Sequence, residues 1–156
     1  MERLLSEIIR LTSQSLQVAE CILEITEEMK EYIQNQNIDS LNKAIGMRQK
    51  RIEDVDSTNA AATEKMSELL KRLSVHSLED IDKEKYPQAE SIVDSRAKMK
   101  KIFSQAYDLE KANRERAEGL LEEYKDAIKG LHINKKALRT YGNSLTGQSI
   151  LINKVK

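Results

Sequence analysis

Apolar side chains recur along this chain at alternating intervals of three and four residues. That spacing places them on one stripe of an α-helix, whereas a half-buried strand would alternate every second residue. The longest stripe runs through the middle of the chain. Its members are Ile38, Leu41, Ile45, Arg48, Ile52, Val55, Asn59, Ala62, Met66, Leu69 and Leu73. A stripe this long and narrow predicts a helix that buries itself lengthwise against other helices.

The same spacing precedes and follows this central stretch. The earlier members are Leu4, Ile8, Leu11, Ser15, Val18, Ile22, Ile25, Met29 and Tyr32. The later members are Asn113, Ala117, Leu120, Tyr124, Ala127, Leu131, Asn134, Leu138 and Tyr141. The pattern therefore predicts three long amphipathic helices.

Two breaks separate the predicted helices. At 35–37 the sequence Asn-Gln-Asn favours a turn, after which Asn37 or Asp39 can cap the second helix. So short a connection predicts an antiparallel hairpin of the first two helices. The second break, 74–87, contains Ser77 as a candidate cap of a short helical turn and ends at Pro87, a residue type favoured in the first turn of a helix.

These patterns predict an all-α fold, an elongated, coiled-coil-like antiparallel helical bundle. We expect one domain over residues 1–141, with helices at about 2–35, 38–74 and 87–141, and a flexible C-terminal tail at 142–156. Gly119 and Gly130 are positions at which the third helix could bend. Arg48 and Asn59 interrupt the central stripe, either to set the helix register or because the helix leaves the core there.

Composition narrows the possible functions. Lys plus Arg and Asp plus Glu each number 26, so the chain lacks the positive surplus that nucleic-acid binding requires. Cys21 is the only cysteine, which favours a reducing, cytoplasmic environment and a buried thiol. The first residues carry acids where a signal peptide would be apolar, and no stretch is apolar enough to span a bilayer. We expect a cytoplasmic protein that neither binds nucleic acid nor inserts into a membrane.

Residues that could support catalysis are sparse. His76 and His132 are far apart in sequence, without other histidines or cysteines at metal-ligand spacing. No glycine-rich phosphate loop is present, and the acidic pairs lack the Glu-x-x-His pattern of di-iron bundles. We therefore expect a protein that is not an enzyme and has no metal or cofactor.

Three passages resemble small cytoplasmic flagellar export chaperones of the FlgN and FliT type. The first opens with Asn37-Ile38-Asp39-Ser40-Leu41 and continues through the Arg-Gln and Ile-Asp rich stretch 47–56. The second is Asp108-Leu109-Glu110-Lys111-Ala112-Asn113, similar to a Leu-x-x-x-Asn segment that opens the C-terminal helix. The third combines 135–142, which ends in Tyr141-Gly142, with the apolar-then-basic stretch 149–154.

The resemblance implies a chaperone without ATPase activity that binds the C-terminal helical segments of axial flagellar proteins. Its substrates would be hook–filament junction proteins for a FlgN-like member or the filament cap protein for a FliT-like member. Such a chaperone prevents premature assembly and delivers its substrate to the type III export apparatus, with the export ATPase or gate components as further partners. A homodimer that exchanges the third helix stays open as an alternative.

The third helix carries more apolar residues than one stripe requires, since Leu121, Ile128 and Ile133 lie on an adjacent face. This surplus indicates either a wider core or a groove for a partner helix. The candidate partner-binding residues are Leu121, Tyr124, Ile128, Leu131, Leu138 and Tyr141. The rival functional reading is a structural or adaptor coiled coil that acts only through oligomerisation.

Overall fold

A computed structural model describes residues 1–130 of the chain. Three α-helices make up most of this part: α1 (Glu2–Gln34), α2 (Ile38–Leu73) and α3 (Gln88–Gly130). A short 3₁₀ helix at Leu78–Asp80 lies between α2 and α3, and residues 1–130 contain no β-strand. The predicted all-α helical bundle is therefore confirmed. Residues 131–141 of the predicted third helix and the predicted tail at 142–156 lie outside the described residues.

The chain reverses direction between α1 and α2 in a three-residue turn. Gln36 adopts a φ of 54°, in the left-handed region, which ends α1. The N–H of Asn37 donates to the carbonyl oxygen of Tyr32 at 2.9 Å. The side-chain Oδ1 of Asn37 accepts from the N–H of Ser40 at 3.2 Å, so Asn37 caps α2. This tight turn makes α1 and α2 an antiparallel hairpin.

The connection between α2 and α3 is tied to the interior by its apolar residues. Ser74 has a φ of 57° and ends α2. The carboxylate of Asp80 accepts hydrogen bonds from the backbone N–H and the hydroxyl of Ser77, at 3.0 and 2.9 Å. Leu78 and Ile81, on either side of Asp80, are buried. The predicted turn at Ser77 is thus present, and it directs two side chains into the core.

The chain divides into two compact units. Unit 1 comprises Met1–Leu23 and Lys50–Gln105, and unit 2 comprises Glu24–Gln49 and, among the described residues, 106–130. Each helix contributes one segment to each unit, because all three boundaries between the units fall within helices.

Unit 1 has an apolar core supplied by all three helices and by the α2–α3 connection. Leu69 of α2, Ile8 of α1 and Ile92 of α3 are fully excluded from solvent. The buried cluster consists of Leu4, Leu5, Ile8, Leu11, Ala62, Met66, Leu69, Leu78, Ile81, Ala89 and Ile92. Burial of this many apolar side chains is the main stabilising contribution to unit 1.

Unit 2 has a smaller apolar cluster beside the α1–α2 turn. Its members are Ile25, Met29 and Ile33 of α1 and Leu41, Ala44 and Ile45 of α2, with Tyr32, Ala117 and Leu120 packed against them. The cluster brings the end of α1 against the start of α2, as an antiparallel hairpin requires. Fewer apolar side chains are buried here than in unit 1, so polar contacts make up a larger share of the contacts between the helices.

The buried side of α3 changes after Leu120. Ile92, Met99, Ala106 and Asn113 are buried at seven-residue intervals. Beyond them, Tyr124 and Ala127, which the predicted stripe includes, are exposed, and Ile128 is buried instead. A straight α-helix drifts by roughly 20° per heptad relative to a strict seven-residue repeat, which is one physical reason for such a shift. The predicted stripe is therefore wrong in this last part of α3.

We expect Leu69→Asp to unfold unit 1 or to lower its free energy of unfolding severely, because a carboxylate would enter a site with no solvent exposure. Ile52→Asp should have a smaller effect, since Ile52 is only partly buried. Ser67→Asp, at an exposed position on the same helix, is the matched control. Urea unfolding followed by circular dichroism measures all three. Equal stability of the Leu69 and Ser67 variants would show that this stripe is not core.

Gly46 and Gly119 lie within helices, and a Cβ added at either position would meet no atom within 4 Å. Each Gly→Ala change should therefore stabilise the protein by about 1 kcal/mol, through the better helix propensity of alanine. The melting temperature should rise by roughly 2–4 °C for each variant, given the size of the chain. Thermal unfolding measures this rise. A loss of stability would mean that the glycine serves a conformation or contact other than the helix seen here.

Candidate functional site

A buried polar layer crosses unit 2 and joins all three helices. The guanidinium of Arg48 on α2 forms an ion pair with the carboxylate of Glu110 on α3, with 3.0 Å between Nη2 and Oε2. Nε of Arg48 also donates to the hydroxyl of Thr26 on α1 at 3.0 Å. On α3, Nδ2 of Asn113 donates to the carbonyl oxygen of Thr26 at 3.0 Å. The relative exposures of Thr26, Arg48, Glu110 and Asn113 are 0, 4, 7 and 1%.

The charges in this layer require close pairing because they lie away from water. Desolvation of an ion costs several kcal/mol, which good geometry and additional hydrogen bonds can offset. Glu110 has two cationic neighbours: Arg48 contacts one carboxylate oxygen, and Nη2 of Arg114 lies 3.4 Å from the other. Arginine suits this position because its planar fork of donors can bind a carboxylate and a hydroxyl together.

The sequence marks part of this layer. Arg48 interrupts the central stripe, and its burial supports the register-setting interpretation over an exposed bend. Asn113 belongs to the predicted third stripe. Thr26 and Glu110 were missed: Thr26 lies beside the first stripe, and Glu110 lies one step before Asn113, where the predicted third stripe begins. Arg48 on the apolar stripe could have indicated them, because a buried arginine is usually paired with a carboxylate, here one on a neighbouring helix.

The candidate partner-binding residues differ in their accessibility. Tyr124 is 40% exposed and Leu121 is partly buried, whereas Ile128 is only 8% exposed. Ile128 thus contributes to the interior, as the wider-core reading of this face expects. Three other candidates, Leu131, Leu138 and Tyr141, lie outside the described residues.

Large exposed apolar side chains are concentrated in unit 2. Within residues 1–130 they are Met1 in unit 1 and Ile38, Met47, Tyr107 and Tyr124 in unit 2. Tyr107, at 68%, is the most exposed of them. It borders a shallow depression of about 200 Å³ on α3 that Glu110, Lys111 and Arg114 also line. The buried polar layer therefore lies directly beside an accessible aromatic side chain.

Groups that could bind a metal are missing from the described part of the chain. No cluster of three or more His, Cys, Asp or Glu residues in 1–130 is arranged to hold an ion. Cys21 is a free, partly buried thiol. None of the helices within 1–130 is both long enough and apolar enough to cross a bilayer.

In comparisons with known proteins, no protein-family model, no curated protein and no solved structure matches this chain.

We expect the Arg48–Glu110 pair to behave as a coupled unit. Arg48→Met should lower the free energy of unfolding by about 3–5 kcal/mol because it leaves a buried carboxylate with a weaker partner. Glu110→Met should be similarly costly. The double variant should lose clearly less than the sum of the two single losses, since both charges are then gone.

Denaturant unfolding of the four proteins measures this coupling. Arg51→Met is the control, because Arg51 pairs with Asp54 at the surface, where an ion pair is worth roughly 0–1 kcal/mol. Additive losses in the double variant would show that the pair contributes no interaction energy.

Proposed function

We propose that this protein is a cytoplasmic chaperone that binds helical C-terminal segments of axial flagellar proteins before their type III export. The observation that carries the proposal is the concentration of exposed apolar side chains in unit 2. Met47 and Tyr107 are more than half exposed, at 57 and 68%, and Ile38 and Tyr124 of the same unit are 38 and 40% exposed. The three passages that resemble FlgN- and FliT-type chaperones add independent support.

Two of those passages contribute to the polar layer. Arg48 belongs to the first passage, and Glu110 and Asn113 belong to the second. The layer holds α2 and α3 together one turn after Tyr107, the most exposed of the large apolar side chains. The residues of the resemblance thus include contacts that fix the helix offered to a partner.

The accessible part of α3 has the dimensions of a helix-binding surface. Tyr107, Arg114 and Leu121 follow one another at seven-residue intervals, so they lie on the same side of α3, and Tyr124 follows one turn later. At 1.5 Å per residue, Tyr107 and Leu121 are about 21 Å apart along the helix. A partner helix of about four turns fits this length. Its apolar face would contact the tyrosines and Leu121, as in helix-in-groove recognition.

Binding of this kind explains how such a chaperone would act without chemistry. Axial flagellar proteins assemble through helical terminal segments, and a chaperone that covers the apolar face of a segment blocks that assembly. Release would follow at the export apparatus, whose ATPase or gate components are the further partners. Whether the substrate is a junction protein or the cap protein is decided by comparing both segments in one binding assay.

The test is isothermal titration calorimetry with synthetic C-terminal segments of a hook–filament junction protein and of a filament cap protein. One of the two should bind the full chain. The double variant Leu121→Ala, Tyr124→Ala should raise the dissociation constant at least tenfold, because buried aromatic and aliphatic anchors cost roughly 2 kcal/mol or more when truncated.

The matched control is Glu123→Ala with Asp126→Ala, two exposed positions on the opposite side of the same turns of α3. This variant should bind like the unmodified protein, and circular dichroism should show equal helix content in all three proteins. Undiminished binding by the Leu121, Tyr124 variant would place the substrate elsewhere. If neither segment binds the unmodified protein, and light scattering shows a stable oligomer, the adaptor coiled-coil function replaces this proposal.

A further inference from the structure

Unit 1 contains an open groove with an apolar floor and a positively charged rim. Its volume is about 620 Å³. Met66, Leu70 and Val75 supply its apolar part, and Lys71, His76 and Arg96 supply its basic part. No aspartate or glutamate lines it. This combination of an apolar floor and uncompensated cations distinguishes it from the depression beside Tyr107.

The groove forms where α2 ends. Ser74, with its positive φ, turns the chain out of the helix, and the N–H of Val75 bonds to the carbonyl oxygen of Leu70 at 3.1 Å. The connection that follows sends Leu78 and Ile81 into the core. Leu70 and Val75 are only partly buried as a result, although both pack against that core. The groove walls are thus anchored to the interior.

Arg96, on α3, contacts a thioether sulfur where an arginine usually has a carboxylate. Its Nη1 lies 3.1 Å from the sulfur of Met66, and a thioether is only a weak hydrogen-bond acceptor. Neither Arg96 nor Lys71 has a carboxylate within ion-pair distance among residues 1–130. Lys65 and Arg72, on the same helix as Lys71, do have one: Lys65 pairs with Glu7, and Arg72 pairs with Glu68.

The position of these cations near the end of α2 explains only in part why they are stable without an acidic partner. Cations near a helix C-terminus are stabilised by the partial negative charge of the last carbonyl groups, which suits Lys71 in the last turn of α2. Arg96 belongs to another helix and gains nothing of this kind from its own position in α3. A guanidinium at the rim of an apolar groove, held by a thioether, is placed to receive a carboxylate from outside unit 1.

The charge of the chain's own C-terminal segment does not complement that of the groove. Residues 131–156 contain four lysines and one arginine, with no aspartate or glutamate. Such a segment would be repelled by a rim that carries Lys71 and Arg96. The occupant must therefore carry negative charge beside an apolar side chain.

We propose that this groove docks an acidic peptide segment of a partner protein. An apolar anchor of the segment packs on Met66, Leu70 and Val75, and its flanking carboxylates pair with Arg96 and Lys71. The carboxylate replaces a weak thioether contact by a charge-assisted hydrogen bond, about twice as strong as a neutral one. This site lies in unit 1 and does not depend on the substrate proposed for unit 2.

The test starts from a displayed library of random 12-residue peptides selected against the full chain. Selected peptides should contain Asp or Glu on both sides of a Leu, Ile, Met or Phe. One selected peptide, synthesised with a fluorescent label, then serves as the probe for fluorescence anisotropy. Arg96→Glu and Lys71→Glu should each raise its dissociation constant at least tenfold, and the affinity should fall as salt is added.

Lys98→Glu is the matched control, because Lys98 is exposed on the far side of α3 from Arg96 and makes no ion pair within 1–130. It should change the dissociation constant less than twofold. Equal melting temperatures of the three variants would show that binding, not folding, was altered.

Several results would overturn the proposal. The absence of any enriched peptide, enrichment of peptides without acidic residues, or equal binding by the Arg96→Glu variant would each do so. Self-association that Arg96→Glu abolishes would also do so, since a second copy of this chain would then occupy the groove. If the axial segment displaces the acidic peptide, and Arg96→Glu does not weaken binding of that peptide, the peptide binds in unit 2 and not in this groove. If the axial flagellar segments do not bind but the acidic peptide does, the function proposed for unit 2 fails and the groove in unit 1 is still supported.

Discussion

The buried ion pair of Arg48 and Glu110 is the constraint on which the arrangement of unit 2 depends. An apolar stripe with a seven-residue repeat tolerates a slip of one heptad, because one leucine replaces another. A slip of that size moves a helix by about 10 Å and would leave both charges unpaired in the interior. The bonds from Arg48 and Asn113 to Thr26 extend the same restriction to α1. The polar layer therefore fixes α1, α2 and α3 in one register.

The sequence predicts the features that depend on local residue patterns, and it does not predict those that depend on contacts between helices. The helices and their breaks follow from local patterns, and Asn37 and Ser77 hold the turns that their residue types indicate. Glu110 and Thr26 did not stand out, because a buried carboxylate and a buried hydroxyl look like surface residues until the neighbouring helix is known. The exposure of Tyr124 on α3 was not predicted, because small angular drifts accumulate along a long helix, whereas the burial of Ile128 is what the wider-core alternative expects.

The two units differ in the kind of surface that they leave accessible. Unit 2 exposes aromatic and aliphatic side chains beside a fixed polar layer, which suits a helix with an apolar face. Unit 1 closes its core more completely and presents cations around a limited apolar floor. The segment proposed for unit 2 and the acidic segment proposed for unit 1 would therefore contact surfaces of different chemistry.

The three-residue turn at Asn37 also has a consequence for the order of folding. In unit 2, Ile33 and Leu41 flank the turn closely, so their contact closes a very short loop. In unit 1, Leu4 and Leu69 join parts of the chain that are distant in sequence. The entropy cost of closing a loop grows with its length, by about 0.6 kcal/mol for each doubling. Folding should therefore nucleate at the hairpin turn and proceed along α1 and α2 toward the distant contacts of unit 1.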